Sequence, residues 1–141
     1  MYDLVRINKM IEDISKFFKE LEEAGLNADN LNQSIRLNAS AMSIFSIMNR
    51  TVDIAQEILV KKELGMPDSY EESFAPLAKE GIINVDLAEK IEKLIAERKL
   101  FAHHYFAATP KVVLKLSKDI YVVKDFIDRV KKIVAKEEKK K

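Results

Sequence analysis

Residues 4–25 read LVRINKMIEDISKFFKELEEAG. Leu4, Ile7, Ile11, Ile14, Phe18 and Leu21 recur at spacings of 3, 4, 3, 4 and 3, which is one apolar stripe along an α-helix. Strands alternate every second residue, so this stretch cannot sit half-buried in a sheet. Gly25 supplies the left-handed residue at which such a helix stops. A stripe that must bury itself calls for helical neighbours, and the rest of the chain provides them.

Asp29 or Asn30 is a candidate cap for a second helix beginning near Leu31. No Gly or Pro interrupts the chain from there to Gly65, so this helix is expected to run for some 30 residues. Its middle, Ala39 to Met48, contains only Ala, Met, Ser, Ile and Phe, which predicts a central helix buried on every side. Gly65, Met66 and Pro67 break the pattern. Asp68 or Ser69 then opens a short third helix, which Gly81 closes. Asn84 or Asp86 opens a fourth, and the pair Thr109-Pro110 caps a fifth. The fifth carries Val113, Leu116, Ile120, Val123, Ile127 and Val130 at helical spacing. The expected fold is all-α: an antiparallel bundle of about five helices in one domain, residues 1–135, with residues 136–141 a disordered basic tail.

Composition agrees with a helical domain and excludes several chemistries. Gly and Pro number three each among 141 residues, too few for the many tight turns of a β-sandwich or barrel. No G-x-G-x-x-G or Walker pattern is present. Cys is absent and His occurs twice, which leaves no thiolate site, no cysteine nucleophile and no zinc-finger spacing. No apolar run reaches membrane-spanning length, and the charged N-terminus has no signal-like apolar core, so a cytoplasmic location is expected.

The net charge of +1 conceals a division. Residues 1–110 hold 13 Lys and Arg against 18 Asp and Glu, whereas residues 111–141 hold 11 against 5. The basic last helix is either a solvated face or a strip that attracts phosphates.

The chemically unusual positions lie on the fourth helix. Leu87, Ile91, Leu94, Arg98, Phe101 and Tyr105 form a stripe with an arginine where a leucine would fit. A guanidinium in an apolar seam needs an anion or several acceptors, or must snorkel outward. Asp53 on the second helix is a candidate partner. Both histidines, His103 and His104, stand beside this arginine. Imidazole exchanges protons near neutral pH, and a fixed arginine grips phosphate.

Arg98, four residues, His103, one residue and Tyr105 resemble the R-x-x-x-x-H-x-Y motif of HepT-like HEPN-domain ribonuclease toxins. The surroundings are similar too. They include Val52-Asp53-Ile54-Ala55-Gln56-Glu57-Ile58-Leu59, and Pro67-Asp68-Ser69-Tyr70 with Phe74, Leu77 and Gly81-Ile82-Ile83. Three positions differ: Lys99 stands where the family commonly has Asn, and Phe101-Ala102 replaces Leu-Val. The resemblance implies a HEPN-like homodimer that cleaves RNA with no metal and no cofactor. It implies a cognate minimal nucleotidyltransferase antitoxin that silences the toxin by AMP transfer. Carried over, Arg98 and His103 are the catalytic pair and Tyr105 is the AMP acceptor. His104 falls on a variable place in the motif, and Asp53 stands behind Arg98 as support.

These side chains suit the implied reaction. Attack by the RNA 2′-OH needs a base for its proton and an acid for the leaving 5′-oxygen, and His103 can serve as one of them. Arg98 can stabilise the charge that builds on the phosphoryl oxygens. On an unbroken helix, however, a five-residue step turns about 140° and rises ~7.5 Å, so Arg98 and His103 would face different sides. Either the helix loosens before His103, or two copies of the motif complete one cleft, and the second is the expectation. Two other readings stay open on the sequence. One is a non-catalytic HEPN-type module that binds a nucleotidyltransferase or a nucleotide. The other is a structural helical dimer with Arg98 in a core salt bridge.

Overall fold

The computed structural model describes residues 3–103 and 108–140. Its α-helices are α1 (Leu4–Ala24), α2 (Ser34–Lys61), α3 (Ala75–Lys79), α4 (Val85–Ala96), α5 (Arg98–Ala102), α6 (Pro110–Asp119) and α7 (Val122–Lys139), and a 3₁₀ turn covers Glu71–Ser73. They fall into the five expected segments, three of which are broken in two.

All six stripe residues of α1 are buried. Asp3 caps the helix by accepting from the Arg6 amide at 3.0 Å. Gly25 ends it at φ +58°, donating its N–H to the Leu21 carbonyl. The α1–α2 joint differs from expectation. Asn27 Oδ1 accepts from the amides of Asp29 and Asn30, and Asn30 Nδ2 donates to the Gly25 carbonyl. The asparagines therefore build a turn, and α2 begins only at Ser34.

α1 and α2 form an antiparallel hairpin. Arg36 Nη1 donates to the Ala24 carbonyl at 2.9 Å, Arg50 pairs with Asp13 at 3.1 Å, and Arg6 reaches Glu57 at 4.0 Å. Residue numbers fall along one helix as they rise along the other. α2 also packs against α3, α4, α5 and α6, so it is the central helix. It is not buried on every side, as its composition had suggested. Ile35 is 85% exposed and Met42 64%, and Ala39 between them is exposed as well. These three share one face, while Ile44, Ile47, Met48 and Ile54 fill the core.

The fifth segment bends where α6 meets α7. The Tyr121 amide donates to Lys118, Val123 to Ile120 and Lys124 to Tyr121, a 3₁₀ tightening that keeps Val113, Leu116, Ile120, Val123, Ile127 and Val130 buried. Phe126 of α7 meets Phe74 edge-on in the core, with ring centroids 5.6 Å apart. Helix α7 runs to Lys139, so most of the expected tail continues it. Among the described residues, no helix is long and apolar enough to cross a membrane.

Candidate functional site

The fourth segment begins regularly. Asn84 Oδ1 accepts from the Leu87 amide at 2.7 Å, and Leu87, Ile91 and Leu94 are buried. At Glu97 the helix tightens: its amide donates to Leu94 at 3.1 Å, and the Leu100 amide donates to Glu97 at 3.0 Å. The break separates α4 from α5 immediately before Arg98. Helix α5 then ends at Ala102, where the His103 amide donates to the Lys99 carbonyl at 2.9 Å. The break thus lies before Arg98 and not between Arg98 and His103.

Arg98 is half-buried against α2. Its Nε donates to Asn49 Oδ1 at 2.6 Å. Its guanidinium carbon lies 4.4 Å from the centre of the Tyr70 ring and 5.4 Å from that of Phe45. Phe45 in turn touches Phe101 of α5, with centroids 6.0 Å apart. The arginine is therefore held in an aromatic cradle by an uncharged amide and two rings. None of these three partners is an anion, so none of them offsets the guanidinium charge.

Asp53, expected behind Arg98, instead accepts from Arg50 at 2.7 Å. One turn earlier on the same face of α2, Asn49 takes its place. His103 closes α5 and is exposed. Lys99 pairs with Glu71 at 3.4 Å, which ties α5 to the turn that follows Tyr70. His104 and Tyr105 lie outside the described residues.

Asn49 and Tyr70 were missed from the sequence as site residues. A signal for Asn49 existed: it is a polar side chain directly after an apolar and small run on the central helix. Tyr70 gave none, because nothing in spacing says that the chain folds its turn back over Arg98.

Among the described residues, no group of three or more His, Asp or Glu side chains is placed to hold a metal ion. The basic excess of the C-terminal segment gathers elsewhere. Lys62, Arg129, Lys132, Lys136, Lys139 and Lys140 line a concavity of about 520 Å³ at the end of α7.

Comparison with known proteins places the chain in a family. The family described as "Ribonuclease HepT-like" matches residues 7–133. The chain belongs to the HepT-like ribonuclease family. Among its curated relatives is the mRNA nuclease HepT of Shewanella oneidensis. The two are 27% identical over 106 residues, 74% of this chain and 78% of that protein. Two solved structures share the fold. One is a tri-AMPylated HEPN toxin from Shewanella oneidensis in complex with its MNT antitoxin, at TM-score 0.81 and 22% identity, covering 93% of this chain and 98% of that one. The other is YutE of Bacillus subtilis, a cytosolic protein of unknown function, at TM-score 0.81 and 21% identity, covering 97% and 95%. The HepT-like match and the helical HEPN fold both agree with the resemblance drawn from the motif.

Proposed function

We propose that this HepT-like chain is the toxin of a toxin–antitoxin pair, a cytoplasmic endoribonuclease that cleaves RNA by 2′-OH attack and needs no metal. The observation that carries the reading is Arg98, oriented by an uncharged amide and an aromatic ring, on the same short helix that His103 ends. A guanidinium fixed in this way is already oriented when negative charge builds on the phosphoryl oxygens. His103, exposed at the end of α5, is the group that moves a proton, either from the 2′-oxygen or to the departing 5′-oxygen. The bonds balance without a co-reactant. The 2′-oxygen bonds to phosphorus, the P–O5′ bond breaks, and the products are a 2′,3′-cyclic phosphate and a 5′-hydroxyl.

Tyr105 is the proposed AMP acceptor, and a minimal nucleotidyltransferase antitoxin the donor partner. An adenylate there adds a bulky anion close in sequence to Arg98, where it competes with RNA for the guanidinium. The active form is a homodimer in this reading. The exposed stripe Ile35, Ala39 and Met42 runs along α2 toward Asn49, and a second copy covering it would bring two Arg98 sites to one cleft.

The test is to incubate the purified chain with RNA in EDTA and analyse the new 3′ ends. Cyclic phosphate ends are expected. An absence of cleavage, or cleavage only on adding a divalent metal, overturns the reading.

A further inference from the structure

Tyr70 stands out among the aromatic residues. Phe74, four residues later, is fully buried, whereas Tyr70 is 45% exposed although its ring lies against Arg98. Its position is fixed. The Tyr70 carbonyl accepts from the Ser73 amide at 3.2 Å, closing the 3₁₀ turn. The next residue, Glu71, is tied to Lys99, the neighbour of Arg98. The ring and the guanidinium are thus anchored to each other from both sides of the contact. An exposed aromatic surface that is rigid and adjacent to a phosphate-gripping arginine matches what single-stranded RNA requires. Unstacked bases are captured on aromatic faces, while cations hold the backbone.

We propose that Tyr70 is a nucleobase platform, stacking one unpaired base of the RNA substrate next to the phosphate that Arg98 holds. The inference rests on the ribonuclease reading and adds the single-stranded character of its substrate. Stacking a base flanking the scissile bond draws that nucleotide out of helical geometry, which lets the 2′-oxygen approach in line with the leaving oxygen. Because every base has a π-face, the platform selects for unpaired RNA and only weakly for sequence. Glu71 and Glu72 follow directly, but Glu71 is engaged by Lys99, which relieves its repulsion of the backbone.

The test uses the full chain carrying His103→Ala, so that RNA survives, and short single-stranded oligonucleotides with 2-aminopurine at each position in turn. One position is expected to be quenched on binding. Tyr70→Leu is expected to abolish that quenching and to weaken binding roughly tenfold, while Tyr70→Phe preserves both. An abasic residue at that position is expected to cost the Tyr70 protein the same factor and the Tyr70→Leu protein nothing. The abasic arm leaves the protein unaltered, so it stands even if Tyr70→Leu folds poorly. Undiminished quenching and affinity in Tyr70→Leu overturn the proposal. So does binding of AMP alone as tightly as the oligonucleotide, which would make the site a mononucleotide pocket. Cleavage by the unsubstituted chain is measured in parallel. Cleavage without any effect of Tyr70 or of the abasic residue rejects the platform alone, and no cleavage rejects the ribonuclease reading itself.

Discussion

Asn49→Ala is the most informative single change around Arg98. The amide oxygen of Asn49 is the acceptor for Arg98 Nε, at 2.6 Å. A hydrogen bond to a charged group contributes about 1.5–3 kcal/mol when its partners are removed from water. Arg98 is only half-buried, so part of that loss is recovered by hydration. The two rings still confine the guanidinium, but among the described residues no side-chain hydrogen bond then fixes its rotation. The expected effect is a fall in kcat of about 10- to 30-fold, equivalent to about 1.4–2 kcal/mol. KM is expected to change less than threefold, since the positive charge remains. Stability is expected to fall by less than about 1 kcal/mol, because Asn49 is itself partly exposed. Single-turnover cleavage of a defined RNA, with thermal unfolding in parallel, separates these effects. A kcat equal to that of the unsubstituted chain would refute the argument that Asn49 preorganises Arg98.

Three further outcomes follow from other parts of the structure. Gly25→Ala places a Cβ at φ +58°, about 3.3 Å from Arg36 Nη1. A loss of about 1 kcal/mol, or roughly 4 °C in Tm, is expected by calorimetry. The carboxyl of Glu92 is held above its usual range by burial and by the nearby Glu89 and Glu72. Its folded form therefore retains a proton that the unfolded chain releases, and the charge destabilises the fold once pH exceeds both values. Glu92→Gln is accordingly expected to raise Tm at pH 7, with the gain disappearing as pH falls toward 4; a gain that persists there contradicts the assignment. Tyr105→Phe, made together with the nucleotidyltransferase partner, is expected to show no adenylate mass increase at that position, whereas the unsubstituted chain shows one.

The architecture was legible because helices announce themselves through period and punctuation. The stripe of α1 and the caps at Asn84 and Thr109 were readable directly, since each depends on residues within one or two turns. The breaks at Glu97 and at Ile120–Tyr121 were not. A 3₁₀ tightening preserves the apolar spacing on either side, so the periodicity looks continuous through it. The exposed face of α2 was hidden for another reason: Met42 and Ile35 are apolar whether or not anything covers them. At the site, the motif singled out Arg98 and His103 from local spacing. The residues that hold Arg98 come from α2 and from the turn before α3, 49 and 28 positions away in sequence. Asp53 was the reasonable electrostatic choice, but Arg50, one turn away on the same helix, captures it first.

The central claim is that an arginine held by neutral partners and a histidine at the end of the same short helix perform metal-free cleavage of RNA. Comparing cleavage by the unsubstituted chain and by His103→Ala, both in EDTA, tests it most directly. The account predicts cleavage by the first and a loss of at least about 100-fold in the second, the scale of a general acid or base. Equal rates from the two proteins would contradict it.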